Sequence, residues 1–311
     1  MAISVINPIG SAFNRVGLVL FKPFDLGKWF VLGFCAWLAH LGEGGANFNW
    51  GGNWGGDGGG SSPIGEAFAE AAKWAEEHLT LVISVGAAVL LLLIAIGLVL
   101  SWLQSRGKFM FLDGVVRNRG AVVEPWRRFR ALGNSLFWFR LVFGLIAFGV
   151  FVLIVLLGLA IAWANIQAEE FGVAAVAAIL TFVVLWLPCV LTAVVVSLFL
   201  EDFIIPVMYL RNLRTVPAWR VFYRELLRGH VGPIVLFYLM KIVLALGIGI
   251  ATCLATCFTC CLAVLPYLGA VILLPLLVFR RSYSLHFIQQ FGDAWVVFRD
   301  ESPLIPEQAP E

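Results

Sequence analysis

Apolar runs about as long as a bilayer is thick recur through this chain and leave it few ways to fold. Crossing a hydrocarbon core as an α-helix takes about 20 apolar residues. The runs Leu81–Leu103, Leu141–Trp163, Val173–Leu200 and Val231–Thr256 reach that length, Leu262–Phe279 approaches it, and Trp29–Leu41 falls short. A soluble domain cannot absorb so many of them. The 311 residues are 61% hydrophobic and 13% charged, where soluble proteins carry about 25% charged residues. A net charge of +2 gives no electrostatic footprint for nucleic acid. The first apolar run starts near Trp29 without a small-residue cleavage site, so it reads as a signal-anchor and not as a cleaved leader.

The connections settle how many runs cross. In a six-span arrangement, 20 of the 21 Lys and Arg residues fall on one side: Arg15, Lys22 and Lys28, then the segments 106–140 and 211–228, then Lys241, Arg280, Arg281 and Arg299. Lys73 stands alone on the other side, among Glu66, Glu70, Glu76, Glu77, Glu169 and Glu170. This is the positive-inside asymmetry. It places both chain ends in the cytoplasm and makes Trp29–Leu41 a short span, since the basic 106–140 segment would otherwise face outward. The expected fold is an all-α polytopic bundle of about six spans.

The basic segments resemble one another. Arg117-Asn118 precedes Pro125-Trp126-Arg127-Arg128-Phe129, and Arg211-Asn212 precedes Ala218-Trp219-Arg220-Val221-Phe222. A weaker echo is Ala12-Phe13-Asn14-Arg15-Val16, and a last one Ala294-Trp295-Val296-Val297-Phe298. Three pseudo-repeats follow, each an amphipathic cytoplasmic helix leading to two spans. They cover residues 1–103, with a Gly-rich outer loop at 42–62, then 104–200 and 201–281; residues 282–311 form a closing amphipathic segment and tail.

Each unit carries apolar and basic residues at helical spacing. Ile9, Phe13, Val16 and Leu20 share one face; Trp219, Phe222 and Leu226 share another, beside Arg220, Arg224 and Arg228. Such helices suit the plane of an anionic leaflet. Arg127, Arg128, Arg220, Arg224, Arg228 and Lys241 are therefore the candidate lipid-headgroup contacts. Lys241 is the one charge well inside a span; it is expected to snorkel to the inner headgroups, with Glu201 or Asp202 as its alternative partners.

No chemistry-bearing pattern stands beside these. Of the cluster Cys253, Cys257, Cys260 and Cys261, the first two and either of the last two share one helix face in apolar surroundings without a histidine nearby, which suits small-residue packing better than zinc, with an outer disulfide or a redox role as the alternative. The ten glycines of residues 42–60 lack the Gly-Lys-Ser/Thr ending of a phosphate loop. His40, His78, His230 and His286 are scattered at span ends, and neither a Ser-His-Asp arrangement nor a nucleophile elbow occurs. Neither a cofactor, a metal nor catalysis is expected.

The stretch Phe21-Lys22-Pro23-Phe24-Asp25-Leu26-Gly27-Lys28-Trp29-Phe30, the Gly-rich loop, and Cys260-Cys261-Leu262-Ala263-Val264-Leu265-Pro266-Tyr267 through Arg281-Ser282-Tyr283-Ser284-Leu285 resemble a bacterial membrane family catalogued as a domain of unknown function. The layout is more distantly similar to the membrane domain of some glycerophosphodiester phosphodiesterases and to an uncharacterised enterobacterial inner-membrane family. The resemblance implies a bacterial cytoplasmic membrane and brings no activity with it. The expectation is a membrane scaffold or lipid-interacting protein contacting anionic lipids through its basic belt. A small-solute or lipid transporter is the alternative, on the strength of the repeats and Lys241.

Overall fold

The computed structural model describes residues 3–41, 74, 78–168, 172–259 and 265–298. The Gly-rich loop, Glu169-Glu170, Cys260, Cys261 and the tail beyond Phe298 lie outside the described residues.

The described chain is helical, with no strand. In order it forms α1 (Asn7–Val16), a π turn (Gly17–Phe21), α2 (Leu26–Ala39), α3 (Leu79–Arg117), α4 (Val123–Arg128), α5 (Arg130–Ala168) and α6 (Val173–Phe199). A second π turn (Leu200–Ile204), α7 (Ile205–Arg211), α8 (Thr215–Val221) and a third π turn (Phe222–Leu227) follow. The chain then forms α9 (Val231–Phe258), α10 (Pro266–Ile272), α11 (Leu274–Gln289) and a 3-10 turn (Asp293–Trp295). Four rods are long and apolar enough to cross a membrane: Leu79–Arg117, Arg130–Trp163, Val176–Arg211 and Val231–Phe258.

Each rod is longer than a bilayer needs. At about 1.5 Å per residue, the 39 residues of α3 extend about 58 Å, against a hydrocarbon core of about 30 Å. The surplus is what folds. Along α3 the stretch Leu79–Val99 is exposed around its whole circumference except at Val82, whereas Gln104–Val115 is buried on every side. Lipid offers no hydrophobic drive between helices. The packed core therefore gathers where the rods leave the apolar zone, and burying a Phe or Leu there is worth about 1.5–3 kcal/mol. Phe109, Leu112, Phe203, Phe222, Phe237 and Phe287 meet in that core.

Two of the six expected spans behave differently. α2 has 14 residues and lies against the charged half of α3: a Cβ on Gly107 would come 2.6 Å from the Leu38 carbonyl carbon, and one on Gly114 would come 2.4 Å from a Leu32 methyl. Asp25 caps the start of α2 by accepting from the Gly27 and Lys28 amides. The last apolar run is broken at Leu273, just before Pro275, into α10 and α11. α11 enters the core with Arg281 through Ile288 buried. α10 packs on α2, where the Trp29 indole donates to the Val271 carbonyl at 3.0 Å and a Cβ on Gly33 would strike Val271.

The expected N-terminal face holds except at Phe13: Val16 and Leu20 are buried and Ile9 packs on the core, while Phe13 is exposed and lies tilted against Phe279. Ala12, Arg15 and Val19 widen the buried face. Arg15 joins it because its guanidinium donates to the Val115 and Val116 carbonyls at 3.0 and 2.6 Å. These carbonyls belong to the last turn of α3, where a cation suits the helix dipole. The closing Ala294–Phe298 segment is one 3-10 turn followed by extended chain, not an amphipathic helix, and it buries Trp295, Val297 and Phe298.

Candidate functional site

The π turn Leu200–Ile204 sits where α6 meets the core, and it carries adjacent carboxylates that serve different partners. Glu201 is paired with Lys108 of α3, lies 3.7 Å from Arg140 of α5 and 3.6 Å from Arg281 of α11, and accepts from Arg281 through its backbone carbonyl at 2.7 Å. Asp202 accepts from Lys241 of α9 at 2.5 Å and from the Ser284 hydroxyl at 2.9 Å. Four helices thus converge on one turn. The charges are held by mutual pairing and extra hydrogen bonds, which burial of ions requires. A cavity of about 20 Å³, lined in part by His40, Lys108, Glu201, Asp202 and Ser284, adjoins them; that is room for about one water. Single π turns inside helices recur at functional sites.

An open groove of about 630 Å³ reaches this cluster from the apolar side. Phe143, Ala147, Trp186 and Val190 wall it, and Arg140, Glu201 and Arg280 lie at its polar end. Phe151 packs on Trp186 at 4.8 Å beside it, fixing α5 against α6.

A second polar centre closes the end of α3. Asp113 is fully buried, accepts from the Tyr209 hydroxyl at 2.9 Å and pairs with Arg117 and Arg119 at 3.1 and 2.9 Å. Arg119 also binds Glu124 at 2.6 Å. That hydrogen bond, aided by the nearby charges, holds the Glu124 carboxyl below its usual range and the Arg119 guanidinium above its own. The left-handed Asn118 that ends α3 (φ 53°) has a counterpart in Asn212 (φ 51°), which ends α7. Asparagine tolerates that region because its short side chain bonds locally.

A third centre combines aromatic and basic groups. Trp102, Arg106, Trp126, Arg127 and Arg130 line an open pocket of about 350 Å³. The Arg106 guanidinium lies 4.1 Å from the Trp102 ring and 4.7 Å from the Trp126 ring.

Of the expected headgroup contacts, Arg127, Arg128, Arg220, Arg224 and Arg228 are exposed. Phe222 and Leu226 are buried beneath the last three, with Trp219 half-buried, so that face agrees with the sequence pattern. Lys241 does not snorkel: it turns inward to Asp202, the alternative partner, because a carboxylate one helix away satisfies the ammonium at less cost than reaching the headgroups. Cys253 and Cys257 are exposed free thiols, and among the described residues no three His, Cys, Asp or Glu side chains are placed to hold a metal. Sequence reasoning missed Lys108, Arg140, Arg281 and Arg106. Their one signal was position: Arg106 and Lys108 follow the apolar run within five residues of Leu103.

Four long apolar rods with a packed, ion-paired core at one end define an integral membrane protein of the helical class. The chain belongs to a family of unknown function, DUF7544, whose model matches residues 3–298. No curated protein and no solved structure matches the chain, so the likeness to the phosphodiesterase membrane domain gains no support.

Proposed function

We propose that this protein is a non-catalytic, lipid-interacting membrane scaffold that grips the anionic inner leaflet of a bacterial cytoplasmic membrane, with both chain ends in the cytoplasm. One observation carries the reading. Arg220, Arg224 and Arg228 stand exposed over buried Phe222 and Leu226, and no described carboxylate pairs with them. Arg127 and Arg128 are exposed likewise after the end of α3. Such guanidinium groups are each worth about 1 kcal/mol near an anionic surface. The positive-inside asymmetry supports the orientation. The paired left-handed asparagines, each followed by a short Trp-bearing helix, support a duplicated unit. In this reading α2 and the α10–α11 pair complete six apolar segments as short, core-packed elements.

The test compares triple variants in nanodiscs holding phosphatidylglycerol and phosphatidylcholine. Replacing Arg220, Arg224 and Arg228 by Gln is expected to abolish phosphatidylglycerol enrichment around the protein, and replacing them by Lys to retain most of it, since point charge suffices for a leaflet. Undiminished enrichment in the Gln variant would refute the scaffold reading.

A transporter is the second reading, favoured by the charged π turn at the end of the 630 Å³ groove. Solute flux into vesicles that stops on Glu201→Gln substitution would decide for it.

A further inference from the structure

We infer that the pocket between the inner half of α3, the end of α4 and the start of α5 binds a phosphoryl group, with Arg106 at its base and Arg127 and Arg130 at its rim. The inference deepens the lipid-contact reading and rests on it only where the phosphate belongs to a lipid. Arg106 is 6% exposed. A guanidinium withdrawn from water to that extent normally meets a carboxylate, and every other buried Arg or Lys of the core has an ion pair or backbone carbonyls. Arg106 has a neutral partner instead: its Nε and Nη2 donate to Asn134 Oδ1 at 3.3 and 3.0 Å. The same oxygen accepts from the Trp102 indole at 3.1 Å. Three donors on one amide oxygen fix both the indole and the guanidinium, and Nη1 has no hydrogen-bond acceptor among the described residues.

Among the described residues the surroundings add positive charge and no negative charge. Arg127 and Arg130 line the same pocket, and both are exposed without a described carboxylate partner. The Trp102 and Trp126 rings meet edge to face at 5.8 Å and compensate part of the Arg106 charge through their π faces. A Cβ on Gly133 would come 2.8 Å from Arg106 Cγ, so the glycine lets α5 approach and holds the side chain in place. One clamped guanidinium with two more lining the same pocket favours a tetrahedral oxyanion, because arginine presents paired donors at phosphate geometry. A leaflet-plane charge stripe has none of this: it needs no burial, no clamp and no aromatic walls.

The phosphoryl group can come from a lipid headgroup or from a soluble phosphate, and the test separates the two. Full-length protein in phosphatidylcholine nanodiscs is titrated with inorganic phosphate and with glycerol 3-phosphate by calorimetry. In parallel, protein extracted from phosphatidylglycerol-containing nanodiscs is analysed by native mass spectrometry for one retained anionic lipid. The variant is the double Arg127→Gln, Arg130→Gln, both at exposed positions; Arg106→Gln is a second, more invasive variant checked by thermal unfolding.

A retained phosphatidylglycerol that the double variant holds at least about tenfold more weakly supports the site with a lipid occupant. Saturable phosphate or glycerol 3-phosphate binding, weakened to the same extent, supports it with a soluble occupant. Neither form binding, or binding that the double variant leaves unchanged, overturns the proposal. The Arg220, Arg224, Arg228 triple Gln variant serves as the comparison. It reports on the leaflet belt alone, so loss of belt enrichment with the tight site intact, or the reverse, tells the two readings apart.

Discussion

Lys241 of α9 and Asp202 of the π turn face each other in a two-pronged contact, the ammonium 2.5 Å from both carboxylate oxygens, with side chains 14% and 3% exposed. The pair pins α9 to the rod that runs from α6 into α7.

Removing one partner strands the other. Lys241→Met is expected to destabilise the protein by about 3–5 kcal/mol, the usual cost of breaking a buried ion pair. Adding Asp202→Asn to it should recover a large part of that loss, because the stranded charge is gone. Unfolding in detergent, followed as a double-mutant cycle, checks both values; additive losses would mean that the contact carries no coupling.

Glycine replacements within one helix should have opposite effects. At Gly107 a new Cβ would meet the backbone of Leu38 and Ala39 at 2.6–2.8 Å, which only a shift of α2 can relieve. Gly107→Ala is expected to cost about 1–3 kcal/mol. At Gly97, where nothing lies within 4 Å, alanine should be neutral or stabilise the helix by up to about 1 kcal/mol. Thermal midpoints of the two variants in the same nanodisc give the comparison.

The end of α3 should be sensitive to acid. Hydrogen bonding to Arg119 lowers the Glu124 carboxyl below its usual 4.5. A carboxyl depressed in the folded state contributes stability that is fully present above the unfolded value and lost as pH falls through the folded one. Protection of the Arg119 amide, which donates to the Gly114 carbonyl, against hydrogen exchange is therefore expected to hold at pH 5 and to fall below about pH 4. Glu124→Gln should start lower and show no such fall. An identical pH profile in that variant would count against the Arg119–Glu124 bond as the cause.

Much of this was legible in the sequence, and the exceptions share a cause. The four long rods announced themselves because an unbroken apolar run needs no knowledge of its neighbours. The face of Trp219, Phe222 and Leu226 was legible for a similar reason, since helical spacing is a local property. Most of the α1 face was legible too, but the burial of Arg15 was not, because Arg15 counts as a wet residue until the Val115 and Val116 carbonyls come within reach, and those lie a hundred positions away. The Glu201 cluster draws on α3, α5 and α11 at once, and no spacing within any of them marks the meeting. Four of the six expected spans form long rods; α2 is shorter, because a 14-residue helix with Lys28 in its first turn has the length of a thin crossing or of a buried core helix alike.

The buried half of α3 has a consequence for how the molecule is made. Arg106 and Lys108 belong to the basic excess that orients a nascent helix as it enters the membrane, yet in the finished fold Arg106 is wedged between tryptophans and Lys108 is neutralised by Glu201. These cations therefore act at two moments of the protein's life, first as free signals during insertion and later as parts of a closed interior. Replacing Lys108 alone by a neutral residue of similar size would weaken the first role while leaving Glu201 to Arg140 and Arg281 in the second, so an error of orientation would arise during biosynthesis, before any folded protein existed to be unstable.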